Sequence, residues 1–202
     1  MAAVTSLEAL RALYPPVRER SRLKVLPALD GHCRRLIGLS PLVMVASFGA
    51  DGRADVTPRG DMPGFVAIGE DGCLLLPDRP GNNRLDTLTN LLANPAIGLL
   101  FLIPGVDETL RVNGRAEIRD DADLLARFAV GEKAPATVLR ITVEEAYLHC
   151  AKAFMRSGAW DPARHVDRAS LPSMGEMLRD QLGLATAETQ AEMMERYKAT
   201  LY

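Results

Sequence analysis

The spacing of apolar positions changes twice along the chain. Near the N-terminus Leu7, Leu10, Ala12 and Leu13 recur at helical intervals behind Thr5-Ser-Leu-Glu8, which reads as a capping box, until Pro15-Pro16 stops the run. A second short helix is predicted after Asp30. From Leu42 the period shortens: residues 42–47 and 53–57 flank Asp51-Gly52, and residues 65–68 and 73–76 flank Asp71-Gly72, two hairpin signals in succession. Helical spacing returns at Leu85, Leu88, Leu91 and Leu92, giving a helix over 84–93 that Asn94-Pro95 ends. Residues 96–103 and 109–118 read as strands around Pro104-Gly105. Asp120-Asp121 can cap a short helix through Phe128, and residues 137–143 form a last β-like stretch. After Glu144 the pattern reads as helical, with amphipathic pieces opening at Ser173-Met-Gly-Glu176 and from Thr186.

Six or seven strands in hairpin succession predict an α+β chain, mainly antiparallel, built as a barrel or sandwich rather than a doubly wound parallel sheet. At 202 residues, 48% hydrophobic and 25% charged, one domain with terminal additions is the simplest division. The expected parts are an N-terminal helical segment packed on the barrel (1–40), a barrel domain (41–162) and a C-terminal helical extension (163–202), with 161–172 as the linker. A net charge of -2 and a pI near 6.0 give no global footprint for nucleic acid or an anionic membrane, so any bound anion must be held locally. Cys33, Cys73 and Cys150 form no CxxC and cannot all pair, which suits a reducing compartment. The most apolar stretch, 91–103, is broken by Asn94 and Pro95, and no signal-like run lies in residues 1–20. A soluble, cytoplasmic protein is expected.

The dinucleotide GxGxxG, the P-loop, GxSxG and HExxH are absent. His32-Cys33 and His149-Cys150 are adjacent pairs whose side chains diverge, so no metal site is expected. What stands out is Arg59, at the end of a hairpin strand, and Arg84, between the Pro77-Asp-Arg-Pro-Gly-Asn-Asn run and a helix start. Two arginines on loops beside helix-start N–H groups suit a phosphate monoester. A solvated arginine and an Asn-rich helix cap are an equal reading of the same residues.

The ordered succession Ser47-Phe-Gly-Ala-Asp-Gly52, Val56-Thr-Pro-Arg-Gly-Asp61, Leu76-Pro-Asp-Arg-Pro-Gly-Asn-Asn-Arg-Leu-Asp86, Asn94-Pro95, Gly98-Leu-Leu-Phe101 and Thr109-Leu-Arg-Val-Asn-Gly-Arg-Ala116 resembles the pyridoxamine 5′-phosphate oxidase-like family. Cys150-Ala-Lys-Ala153, Arg156-Ser157 and Trp160-Asp-Pro162 are similar to a subgroup of about this length. The resemblance spans residues 17–175 and implies an FMN-binding split barrel, FMN as cofactor, and a homodimer with flavin sites at its interface. It implies that Arg59 and Arg84 hold the FMN phosphate, with Asn83 as helix cap and amide donor. Val56 and Thr57 would run beside the isoalloxazine ring, and Pro77, Asp78 and Arg79 would meet its other end. Thr109 and Arg111 lie on a strand that sends a polar side chain to the flavin, although Arg111 could equally pair with Glu117 or Asp107. Lys152, Arg156 and Trp160 are expected to complete the partner's site; a solvated helix face and a plain aromatic anchor are the alternatives.

One departure stands against the family's name. No counterpart appears of the C-terminal Arg and His that hold pyridoxamine phosphate, since Arg164-His165 has the wrong spacing. The expected function is therefore an FMN-dependent oxidoreductase acting on an unidentified small molecule, with no catalytic acid or base assigned. Strict vitamin B6 oxidation, and a binding protein for flavin, haem or deazaflavin, are the alternatives, with His32, His149 and His165 as possible axial ligands for haem.

Overall fold

Hairpin turns build the sheet one strand at a time. Gly52, at φ 77, turns β1 (Leu42–Phe48) into β2 (Ala54–Gly60) with Val45 opposite Thr57, and Gly72, at φ 81, joins β3 (Ala67–Ile68) to β4 (Leu74–Asp78). β5 (Ala96–Leu102), β6 (Thr109–Arg119) and β7 (Thr137–His149) complete one antiparallel sheet of seven strands in the order β2-β1-β5-β6-β7-β4-β3. The computed structural model describes residues 3–198 and Leu201. The sheet curls into the split barrel that the resemblance implies.

Alternation decides which face is dry. β1 buries Val43, Val45 and Ser47, and β5 buries Ile97, Leu99 and Phe101, leaving the residues between them on the outer face. With Leu74, Leu76, Leu110, Val112 and Ile141 the apolar side chains among these belong to the main core. Each large buried side chain contributes roughly 1.5–3 kcal/mol before conformational entropy is subtracted. β7 runs to His149, beyond the expected end at 143. Its extra residues, which read as helical, pair with the first half of β6, Arg111 opposite Tyr147. Between Asn113 and Gly114 the ladder slips at a bulge, where a Cβ on Gly114 would sit 2.0 Å from the Thr142 carbonyl oxygen.

Helices close the open regions of the sheet. α1 (Leu7–Ala12) and α2 (Glu19–Leu23) bury no side chain; α3 (Gly31–Leu39), capped by Asp30, inserts Cys33 and Ile37 into the core. Ser6, not Thr5, caps α1, because its hydroxyl accepts from the Ala9 N–H at 3.1 Å. α2 was not foreseen. α4 (Asp86–Ala93) packs on β1, β2 and β6, and starts two residues later than the periodicity predicts because Leu85 adopts a left-handed conformation. Before α5 (Ala122–Arg127) Asp121 makes no capping bond and instead takes two hydrogen bonds from Arg119. α6 (Lys152–Ser157) follows β7 directly. The 161–172 segment forms short 3₁₀ turns at Pro162–Arg164 and Arg168–Ser170 before α7 (Met174–Leu182) and α8 (Gln190–Lys198). The Ser173–Glu176 capping box is present, and Thr189 with Glu192 repeats it ahead of α8.

Candidate functional site

Strand alternation selects the side chains of the site. Asp55, Thr57 and Arg59 leave β2 on one side and meet Asp78 at the end of β4, the 79–85 loop and the start of α4 around a cavity of about 540 Å³. Thr57, Arg59, Asp78, Arg79, Asn83 and Arg84, six of the expected residues, line it together. Pro77 is buried just beneath, opposite Val138. β3 pairs only with Leu74 and Leu75, so the missing N–H of Pro77 falls beside an open edge.

The three arginines are held differently. Arg59 donates to the Thr57 hydroxyl at 3.2 Å and lies 3.5 Å from Asp78. Burial pushes the Asp78 carboxyl above its ordinary value, and the Arg59 charge opposes that rise. Arg79 is a strut: its guanidinium bonds Asp61 at 3.0 Å and the Phe128 carbonyl at 2.6 Å, tying the cavity wall to the end of α5. The Arg84 side chain is 71% exposed and pairs with a neighbouring acid, Asp86, at 2.8 Å. Beneath them Thr87 donates to Asp55 at 2.6 Å, Ser47 donates to the same oxygen at 3.5 Å, and Asn90 donates to Ser47 at 3.0 Å. This network fixes the first turns of α4 to the β1–β2 hairpin through the buried Ser47 and Thr87.

Backbone strain concentrates here. Asn83 and Leu85, at φ 57 and 58, are the non-glycine residues with positive φ among those described, and such conformations cost about 1–3 kcal/mol each. Asn83 is not the helix cap: that position belongs to Leu85, which offers no side-chain acceptor, while Asn82 accepts from the Arg84 N–H at 3.1 Å. The start of α4 therefore lines the cavity without a side-chain cap on its first N–H groups. Two guanidiniums, a threonine hydroxyl and a free helix start suit a phosphate monoester.

The other expected residues lie elsewhere in the chain. Val56 points to the outer face, where with Met44, Ala46, Phe48, Gly98 and Leu100 it borders a groove of about 640 Å³ that ends at Arg111, Asn113 and His149. Arg111 pairs with neither Glu117 nor Asp107; it lies 3.5 Å from Glu145 and over the Tyr147 ring at 4.4 Å, its Nε buried without a hydrogen-bond partner. Glu117 faces Arg119 and Arg140 instead. Thr109 is buried opposite His149, whose imidazole is held below its ordinary pKa by burial and by the charges of Arg111 and Lys24. Lys152 and Arg156 are exposed on α6. Trp160 stacks on Phe154 at 5.4 Å and donates to the Val106 carbonyl at 3.0 Å, pinning the segment after α6 to the β5–β6 turn.

Asp55, Asp86 and Thr87 escaped the sequence reading. Asp55 was within reach of it, since it stands two residues before Thr57 and so shares its strand face. Among the described residues no cluster of three metal-ligating side chains occurs, and no helix is long and apolar enough to cross a membrane.

Comparison with solved structures finds a HupZ variant of Group A Streptococcus at 20% identity, the match covering 59% of this chain and 98% of that one with a TM-score of 0.50; this likeness shows the fold. A Clostridium acetobutylicum protein related to general stress protein 26, of the pyridoxinephosphate oxidase family, matches at 20% identity over 58% of this chain and 85% of that one, TM-score 0.45. HutZ, the heme storage protein of Vibrio cholerae, matches at 14% identity over 60% and 94%, TM-score 0.41. Among curated proteins no sequence matches. The pyridoxamine 5′-phosphate oxidase family matches residues 29–150, more than half of the chain. Those residues run from just before α3 to just past β7 and contain the whole sheet, the helices that brace it and the Arg59–Arg84 cavity; the chain belongs to the pyridoxamine 5′-phosphate oxidase family.

Proposed function

We propose that the protein is an FMN-dependent oxidoreductase acting on a small molecule, with the phosphate end of the cofactor in the Arg59–Arg84 cavity. The observation that carries this reading is the convergence of Arg59, Arg84 and the uncapped start of α4 on one space. FMN, when bound, supplies hydride and electron transfer. The chain's own tasks are binding and orientation. Arg59 and Arg84 would each offer paired N–H donors to phosphate oxygens, the α4 amides would meet a third oxygen, and Thr57 would donate from β2. The Ser47–Asp55–Thr87–Asn90 network keeps α4 from moving away from these donors. Arg79 holds the wall shape through Asp61 and Phe128 rather than offering a free charge.

Support for a homodimer comes from the outer face of β1, β2 and β5. Phe48 is 47% and Val56 64% exposed beside Met44, Ala46 and Leu100, an apolar surface of the kind a second subunit covers. Sedimentation equilibrium is expected to show dimer at micromolar concentration with or without flavin; a monomer would remove the dimer.

The phosphate site is tested by titrating apoprotein with FMN. Arg84→Ala and Arg59→Ala should each weaken binding roughly ten- to a hundredfold, the usual loss for charge-assisted hydrogen bonds, while Asp71→Ala, outside the cavity, should not. Unchanged affinity in both arginine variants would remove the site. Purified protein should show twin flavin bands and release FMN rather than FAD on denaturation, and hydrogen peroxide production on pyridoxine or pyridoxamine 5′-phosphate would return the function to vitamin B6 oxidation.

A further inference from the structure

Two helical arms leave the barrel without covering their apolar sides. In the N-terminal arm Leu7, Leu13, Tyr14 and Val17 are 60–69% exposed, and neither α1 nor α2 buries a residue. Its base is fixed, because Leu26 exchanges both backbone hydrogen bonds with Ala146 of β7 at 2.9 Å and Lys24 donates to the Leu148 carbonyl at 2.7 Å. In the C-terminal arm the start of α7 packs at Gly175 against the backbone of Glu188, just ahead of α8, and α8 buries Met193. Beside that contact Met174, Leu178 and Leu182 form a partly exposed stripe at four-residue spacing. Helices of five to nine residues are marginal in water without an apolar partner, so the N-terminal arm, which buries no side chain, needs one.

Their charges are complementary. Residues 3–24 carry five cations, Arg11, Arg18, Arg20, Arg22 and Lys24, against Glu8 and Glu19. Residues 173–198 carry five acids, Glu176, Asp180, Glu188, Glu192 and Glu195, against Arg179, Arg196 and Lys198, whose exposed pairs with Asp180, Glu188 and Glu195 are weak enough to exchange. We infer that the N-terminal arm of one copy docks on the α7–α8 pair of a second copy, so that each chain of a twofold dimer gives one arm and receives one. Leu7, Leu10 and Tyr14 would lie along the Met174–Leu178–Leu182 stripe, with the basic 18–22 segment beside Glu176 and Glu188, which the Gly175 contact brings close together. Such a contact is self-complementary and closes at two copies. It rests on the homodimer proposed above but not on FMN.

The test uses the full-length protein with Leu10→p-benzoylphenylalanine, at an exposed position of α1. Unlabelled and heavy-isotope-labelled subunits are mixed, allowed to exchange, irradiated and digested. Crosslinked peptides joining residue 10 to the 171–198 region across the two isotope labels are expected. The triple variant Arg18→Glu, Arg20→Glu, Arg22→Glu should lose most of that crosslink. Crosslinks confined to one label, or none to 171–198 in a sample that sediments as dimer, overturn the contact and leave the dimer standing. A monomer overturns both, and FMN titration of the same sample reads the flavin site separately.

Discussion

Arg84 and Asp86 lie 2.8 Å apart with both side chains largely in water, so their pair is weak and easily exchanged for a stronger partner. An incoming phosphate must compete with Asp86 for the guanidinium and suffers repulsion from the carboxylate as well. Asp86→Asn removes both obstacles, and FMN should bind roughly two- to fivefold more tightly at low salt, a gain that shrinks as salt rises. Titration of wild type and variant at two ionic strengths measures it; weaker binding in the variant would mean that Asp86 aims Arg84 instead of withholding it. Spacing alone left Arg59 and Arg84 open between a shared anion site and a solvated arginine with a helix cap, and the structure brings the two to one cavity. Asp86 was not legible, because the distance between two side chains two residues apart depends on Leu85 being left-handed, which no spacing rule assigns to a leucine. Arg79 shows the converse: an arginine in a matched motif spends its charge on Asp61 and the Phe128 carbonyl.

Elements were legible where turn chemistry speaks locally and obscure where pairing decides. Asp51-Gly52 and Asp71-Gly72 placed two hairpins, with boundaries that moved by a few residues. The second half of β7 misled the reading: Val143-Glu-Glu-Ala-Tyr-Leu-His149 contains good helix formers, yet β6 offers it a ladder from Thr109 onward and tertiary pairing outweighs propensity. The price of that long pairing is the bulge at Gly114, whose absent side chain lets β6 pass the Thr142 carbonyl. Gly114→Ala puts a methyl where that oxygen stands, so backbone must shift in two strands. Overpacking of this kind costs about 1–3 kcal/mol. A lower urea midpoint with an unchanged slope is expected; a midpoint equal to wild type would show that the bulge can open freely.

The whole molecule raises a question that one chain cannot answer by itself: what lies over the Arg59–Arg84 cavity on its solvent side. Lys152 and Arg156 stand four apart on α6, exposed, with Trp160 anchored nearby on Phe154 and the Val106 carbonyl, and none of the three lines that cavity in its own chain. Two like charges sharing a short helix face repel, and an anionic group or an electron-rich ring edge supplied by a partner would offset the repulsion. If the dimer brings this segment to the partner's flavin, each site contains residues of both chains, and lesions in different chains can be separated by mixing. A subunit carrying Arg84→Ala is exchanged with one carrying Lys152→Ala and Trp160→Ala. In the heterodimer one site then holds every lesion, while the other combines the intact Arg84 of the second subunit with the intact Lys152 and Trp160 of the first. Half of the sites should recover tight FMN binding and the wild-type reduction potential, although neither parent homodimer has a single intact site. Recovery cannot arise if all these residues act within one chain, because each subunit would then carry its own damage wherever it goes; verified heterodimers without a recovered class of sites would return Lys152 and Arg156 to a solvated helix face and Trp160 to a structural anchor.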